Sequence, residues 1–584
     1  MINDICIGMA GSGGDGIVAA GEALLNSAAA AGYHGMLTKS FGPQIRGGES
    51  SCRLRISTQP VLNPGSELDV AVALNWDDFL KFGSELPTDA RSIVIYEESA
   101  KTPDGKLPLK IAPGEAIAVP IAAIARAHGG DRAKNTVVLG LLSAWFGLAP
   151  ESILAGMRKR LKKKGPEVIA AAEQAFQAGA DHARANPLKT ARLMAPPAAR
   201  QGVWLADGND LTAAAAIVAG CDFFGGYPIT PSTEIMQTLS RDIWAYGGSL
   251  LQCEDEIAGI GACVGASFGG KRAMTATSGP GMSLKTEMLG LATIAELPLV
   301  VVNVQRGGPA TGLPTKLEQA DLFQACYSGH GDAVRPVLAP TSVADAFRVT
   351  VDAFNIAEEF QTPVIVLSDQ EISQRKETLE PIDTSTVQLV ERRRPTPEDL
   401  AGGYKRFKLT PDGISPISHP GLAGGEYLAA GIEHNESGAP ASGGANHQRM
   451  TEKRIGKFAP LLKRRELFLV EGDADADLGI ISWGSSAGIC REAVQTVRQE
   501  GLKVRILVPY LLYPVAEEIF SDFLKGLTKG LVVEQSYQGQ LYRILRSFIT
   551  VPNGVRPYCR AGANPFRPSE IVAQIRALAQ RSVP

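Results

Sequence analysis

Of the 584 residues 45% are apolar and 20% charged, with a formal net charge of -3, which excludes a disordered chain and leaves room for roughly three to four domains. Lysine and arginine read as scattered, without the basic stripe that nucleic acid or an anionic membrane surface requires. No apolar run reaches the roughly 18 residues of a bilayer span, and MINDICIGMAG lacks a basic stretch before an apolar core, so a cytoplasmic location is expected.

Strand-like DICIGMA leads into AGSGGDG, where Gly11, Gly13 and Gly16 satisfy GxGxxG at a strand-to-helix turn. A nicotinamide site also requires an acid about 20 residues on, and none stands between Glu22 and Glu49; the expectation is a tight βα turn, lining another ligand's phosphate if it lines anything. The loop PQIRGGES sets Arg46 beside Gly47 and Gly48, which suits an anionic ligand, a subunit contact or plain solvent. Alanine-rich text from about Ala178 to Gln201 reads as a linker, ending a first domain at 180.

A second domain is expected over 202–392, where strand-like and helix-like runs alternate: RAMTAT, a helix from about Gly281 to Ile294, then LPLVVVNV. This is the rhythm of parallel α/β layers. From 393 to about 465 the text turns irregular, either disordered or packed on another surface. A third α/β unit follows over 466–584. Eight cysteines lie apart, with no CxxC or CxxxC pair, which argues against a disulfide framework, a zinc site or a self-contained iron–sulfur cluster.

The chemistry-bearing text is in the second domain. In GGYPITPSTEI, Thr230 stands between Pro228 and Pro231 and reads as the N-cap of a helix. Glu254, Asp255 and Glu256 open the next helix, where acids complement the helix dipole; that suffices for two of them. Ala258, Gly261, Ala262, Gly265 and Ala266 then give a small face for a close neighbour, helix or flat ligand. TSGPG (277–281) opens another helix. In VNVQRGGPATGLPT, Arg306, Thr311 and Thr315 follow a buried strand and either clamp a small carboxylate or hold their own loop. His330 in GHGD reads as structural. Thr230, Glu256, TSGPG and Arg306 all follow strands of one domain, and ligands of open α/β sheets collect at that edge.

GGYPITPST, EDEIAGIGACVGAS, TSGPG, QRGGPATGLPT, EQADL and GHGD, in this order, resemble the α subunit of 2-oxoacid:ferredoxin oxidoreductases, with AGSGGDG and IRGGES resembling their γ domain fused in front. KRFKLTPDGISPISHPG and GIEHNESG are most similar to the 2-oxoglutarate branch. The resemblance implies a central pyrimidine-binding domain for thiamine diphosphate and a terminal domain like that of transketolase. It makes Glu256 the cofactor-activating acid, Thr230 a group at the reacting centre, and Arg306 and Thr315 the binders of the oxoacid carboxylate. It implies oxidative decarboxylation with coenzyme A as co-substrate and ferredoxin as acceptor. No metal is expected here: the Gly-Asp-Gly at 14–16 lacks the following Asn of a magnesium-diphosphate motif, so Mg and a [4Fe-4S] cluster fall to a β subunit in an (αβ)2 assembly. Pyruvate or aryl-pyruvate as substrate, a non-catalytic scaffold subunit and a nicotinamide dehydrogenase are the alternatives.

Overall fold

The computed structural model describes residues 2–12, 14–41, 49–100, 106–188, 195, 200 and 202–580. The chain divides into two compact units, Met1–Ala206 with Gln374–Ile382 and Asp207–Ser373 with Asp383–Pro584.

The first unit is built on β1 (Asp4–Gly11), β2 (His34–Phe41), β3 (Ser50–Ser57), β4 (Val70–Ala73), β5 (Ile93–Glu97), β6 (Glu115–Val119), β7 (Trp204–Asp207) and β14 (Lys376–Leu379), in the order 6-5-4-1-3-2-14-7. Ile5, Ile7, Leu54 and Val72 of this sheet pack with Leu24, Leu141 and Phe176 of its helices in one apolar core. Helix Pro166–Ala185 runs past residue 180, into text expected to be linker. Alanine there is the strongest helix former rather than a sign of loop, and the helix end is held where the Trp145 indole donates to the Asn186 carbonyl, 2.9 Å.

One expectation, about charge, changes here. The cations are not all scattered: Arg158, Lys159, Arg160, Lys162, Lys163 and Lys164 are exposed together at the end of helix Pro150–Leu161, where they complement the C-terminal dipole. At the glycine turn, Gly13 lies outside the described residues. The Ser12 N–H donates to Asp15 (2.9 Å) and its hydroxyl to Asp78 (2.5 Å), so both Ser12 donors are satisfied within the unit. Arg46, Gly47 and Gly48 lie outside the described residues.

The second unit carries two sheets. The central one joins β8 (Phe223–Gly226), β9 (Ser249–Gln252), β10 (Ala273–Thr277), β11 (Leu299–Gln305), β12 (Val337–Leu338), β13 (Pro363–Asp369) and β18 (Leu511–Tyr513) in the order 18-12-13-11-10-8-9. Every pairing from β12 to β9 is parallel, and LVVVNVQ and PVIVLSD are buried along their whole length, as strands covered on both faces must be. The terminal sheet joins β15 (Phe468–Gly472), β16 (Leu478–Ser482), β17 (Arg505–Pro509), β19 (Lys529–Glu534) and β20 (Val555–Cys559) in the order 15-17-16-19-20. Three sheets with flanking helices meet the α/β expectation.

The helix expected over Gly281–Ile294 is two: Gly279–Leu284 and Thr286–Ile294, with Lys285 at the break. The irregular stretch after 393 carries helices Pro397–Ala401 and Gly444–Gly456 and packs on the central domain through a buried ionic cluster. There the Glu296 carboxylate accepts from Lys453 and, at 3.0 Å, from Lys457, while Arg406 donates to the Glu296 carbonyl at 2.7 Å.

Candidate functional site

Because β8, β9, β10 and β11 are parallel neighbours, the segments after them emerge at one edge. After β8 the chain runs through Thr230, whose peptide bond to Pro231 is cis. The helix then starts at Thr233 with Ser232 at its N-cap, so Thr230 is not the cap. Pro231 and Ser232 are buried and consume the first turn, leaving Thr230 exposed beyond it.

After β9, Asp255 caps helix Glu256–Phe268 by accepting from the Ala258 N–H at 2.7 Å, the role expected for an acid at that point. Glu256, next to it, turns inward and is 8% exposed. What lets this helix start so close to the sheet is backbone-on-backbone packing: a Cβ on Gly225 would stand 2.7 Å from the Gly259 carbonyl oxygen. The pair of glycines in GGYPIT thus has a packing reason. Among the described residues no hydrogen bond reaches the Glu256 carboxylate. Its side chain lies against Gly281, where a Cβ would come within 2.7 Å of Oε1 and Cγ and closer still to Thr277 Oγ1.

Beneath Glu256 lies a residue not singled out from sequence. Lys285 is wholly buried, and its Nζ donates to the Glu256 carbonyl (2.9 Å) and to Thr275 Oγ1 (3.2 Å). Burial pulls its pKa down to about 8, against the opposing pull of Cys263 and Glu256. A lone lysine in the apolar text GMSLKTEMLG was the signal available.

After β11, Arg306 is 7% exposed and donates to the Thr230 carbonyl at 2.6 Å, while its Nε has no partner. The loop that follows folds back, with Leu313 N–H bonded to the Gly307 carbonyl (2.8 Å) and Gly307 N–H to the Lys316 carbonyl (3.0 Å). Thr315, half-buried, stands just before that closure; Thr311 and His330 are exposed. Asp321 completes the edge. Its carboxylate accepts from Asn303 at 3.1 Å, its N–H donates to Gln305 at 3.0 Å, and a Cβ on Gly279 would stand 2.9 Å from it. Burial raises the Asp321 carboxyl to about 6, with the Asn303 hydrogen bond and the Arg306 charge opposing and the Glu318 charge assisting. Ser278 Oγ and Asn303 Oδ1 are, like Arg306 Nε, buried without partners. Orphaned polar atoms at the ends of adjacent strands require a ligand or water to satisfy them.

EQADL, quoted from sequence only as a motif, has a structural task as well. Glu318 accepts from Gly308 (2.9 Å) and Gly562 (3.0 Å), and Gln319 bonds Trp483, Ser486 and Gln535. Two side chains thereby fix the terminal domain to the Arg306 loop.

The edge therefore gathers Glu256, Thr230, Arg306 and the segment bearing Thr315. A planar heterocycle fits here on two observations: an unpartnered carboxylate at a helix start and the Gly281 wall that admits no side chain.

Comparison with known proteins identifies the family. Residues 214–453 match the model described as pyruvate flavodoxin/ferredoxin oxidoreductase, thiamine diP-binding; 6–182 match pyruvate ferredoxin/flavodoxin oxidoreductase, and 476–571 match pyruvate:ferredoxin oxidoreductase core domain II. The 2-oxoglutarate oxidoreductase subunit KorA of Mycobacterium tuberculosis is 33% identical over 580 residues, covering 93% of this chain and 87% of the relative. The 2-oxoglutarate synthase subunit KorA of Methanocaldococcus jannaschii is 36% identical over 366 residues, 62% of this chain and 96% of the relative. A solved 2-oxoglutarate:ferredoxin oxidoreductase from Magnetococcus marinus, with 2-oxoglutarate, coenzyme A and succinyl-CoA bound, superposes with TM-score 0.93 at 37% identity, covering 99% of this chain and 100% of that one. With relatives of this identity along nearly its whole length, the chain belongs to the 2-oxoacid:ferredoxin oxidoreductase family.

Proposed function

We propose that this chain is the α-type subunit, with a γ-type domain fused in front, of a cytoplasmic 2-oxoglutarate:ferredoxin oxidoreductase. The complex converts 2-oxoglutarate and coenzyme A reversibly to succinyl-CoA and carbon dioxide, and passes two electrons singly to ferredoxin. In this reading the γ-type domain expected over residues 1–180 extends to the end of its last helix at Ala185, 202–392 is the pyrimidine-binding domain and 466–584 the terminal domain, with a linker after that helix and 393–465 as extension.

The observation that carries the reading is the buried, unpartnered Glu256 carboxylate facing the Gly281 wall. Thiamine diphosphate, when bound, supplies the carbon nucleophile and electron sink that decarboxylation needs. Glu256 would hold its pyrimidine ring by a hydrogen bond to a ring nitrogen and govern the proton there. Arg306 has its Nε free for a carboxylate while its other arm is anchored to the Thr230 carbonyl, so guanidinium, Thr230 and Thr315 would orient the oxoacid.

In this reading a β subunit in an (αβ)2 assembly would bring Mg, the diphosphate half of the site and the [4Fe-4S] cluster. The exposed Leu251, Ile257, Leu284 and Leu313 around the edge are the apolar surface such a partner would cover. The test is Glu256→Gln, co-purified with its partner and assayed by viologen reduction with 2-oxoglutarate and pyruvate in parallel. Turnover is expected to fall by about 10²–10⁴, with 2-oxoglutarate the better wild-type substrate; near-normal turnover removes the cofactor role, and preference for pyruvate removes the substrate.

A further inference from the structure

Lys285 is expensive where it stands. The break between helices Gly279–Leu284 and Thr286–Ile294 turns it inward, it is fully buried, and among the described residues its Nζ has no carboxylate within ion-pair distance. It has instead a backbone carbonyl and one hydroxyl. An ammonium held this way loses hydration without the attraction of a contact ion pair, and an apolar side chain of the same length would stabilise the fold at least as well. Stability does not account for a lysine here.

Its surroundings supply a different reason. From helix Glu256–Phe268 and the turn before it, Lys285 faces Glu256, Cys263, Asp255 and Cys253; from β10 it faces Thr275. Burial raises both thiols, Cys263 to about 12, so they stay neutral near pH 7. Asp255 is exposed and committed to the Ala258 N–H. What Lys285 holds directly is the Glu256 carbonyl, at the helix start that carries the buried carboxylate.

We propose that Lys285 is a positioning residue for Glu256: bound to the Glu256 carbonyl and the Thr275 hydroxyl, it ties the first turn of the helix that carries the carboxylate to β10 and so fixes where that carboxylate stands. The proposal rests on the cofactor role of Glu256 and adds a residue on which the placement of that group depends. A pKa of about 8 for Lys285 keeps its N–H donors in place at neutral pH.

The test uses the assembled complex with Lys285→Met, and with Lys285→Met in a Thr275→Val background so that no hydroxyl is orphaned. Three readouts are taken beside the wild type: the thermal midpoint, the calorimetric affinity of the stripped complex for thiamine diphosphate, and kcat and KM for 2-oxoglutarate measured separately. The expected result is a midpoint unchanged or raised, cofactor affinity lower by about tenfold, and kcat lower by about a hundredfold with KM little changed. A merely structural lysine gives the reverse: a lowered midpoint, or failure of both variants to fold, with affinity and kcat unmoved, and that overturns the proposal. Glu256→Gln separates the two readings. Full turnover there defeats the cofactor role itself, whereas lost turnover together with unchanged affinity and kcat in Lys285→Met defeats only the positioning.

Discussion

Replacing Glu296 by Gln tests what holds the extension to the central domain. Glu296 is 1% exposed at the end of helix Thr286–Ile294 and is the shared acid for Lys453 and Lys457, both almost fully buried. Lys457 also donates to the Gln361 carbonyl at 3.1 Å, and Arg406 spans the Ala295 and Glu296 carbonyls at 3.3 and 2.7 Å. The two lysines and the arginine hold the Glu296 carboxyl far below the usual range against the opposing effect of burial. Gln keeps the shape but leaves two ammonium groups buried against a neutral amide, and breaking a buried pair on one side costs about 3–5 kcal/mol. That cost falls on docking of helix Gly444–Gly456, which carries Lys453. The assay is amide hydrogen exchange of that helix in the full chain. Opening should become about a hundredfold to several thousandfold more frequent, with protease cleavage appearing between residues 402 and 443. Exchange within a factor of five of wild type would refute the claim that this cluster holds the extension.

Three further outcomes follow from the site. Gly281→Ala should abolish turnover and cofactor binding while moving the unfolding midpoint little, because the new methyl displaces the Glu256 side chain and Thr277 hydroxyl rather than a backbone; a variant that binds cofactor normally would show the wall to be unimportant. Asp321→Asn should stabilise the chain at pH 7 by at most about 3 kcal/mol and not at all near pH 3.5. The sign follows from a native carboxyl that titrates near 6 rather than 3.8: the folded state binds more protons between these values, so stability is lost as pH rises through them. A difference independent of pH, read from urea midpoints, would contradict it. Arg306→Lys should raise KM for the oxoacid by more than tenfold, since a point charge cannot hold Thr230 and span a carboxylate at once; an unchanged KM would take Arg306 out of the substrate site.

The parts of the site that sequence made legible are those where residue type dictates geometry. Strand-to-helix junctions rich in Gly, Pro and Ser marked the edge, and an acid at a helix start marked Asp255 and Glu256. What stayed hidden depends on distant parts of the chain. Thr230 looked like an N-cap because proline favours a first turn, yet the turn is completed by Ser232. The single helix expected after TSGPG is mostly apolar, with no proline to break it after Pro280; only the tertiary fold draws Lys285 inward and splits it in two. Asp321 and Asn303 are 18 residues apart and meet because the loop after β11 folds back onto the end of that strand, which no local pattern encodes. The cluster around Glu296 spans 161 residues to Lys457, so the extension reads as irregular until its partners are in view.

The glycines of the site have one common consequence. Gly225 meets the Gly259 carbonyl, and Gly281 meets Glu256 and Thr277; none of the three has a positive φ, so these positions do not require backbone freedom that other residues lack. They require absence of volume. Close approach of helix Glu256–Phe268 to β8 fixes where the helix begins, the beginning fixes where the first side chain stands, and Gly281 fixes which way it turns. A methyl at any of the three points shifts a carboxylate that must meet a ring nitrogen within hydrogen-bond range, and displacements of about 1 Å at such a contact cost on the order of a hundredfold in rate. The sensitivity of these glycines should therefore appear in turnover before it appears in stability. At Gly225 and Gly259 the obstacle is backbone, which cannot swing aside, so both quantities fall there; at Gly281 the obstacle is side chains, so turnover falls alone.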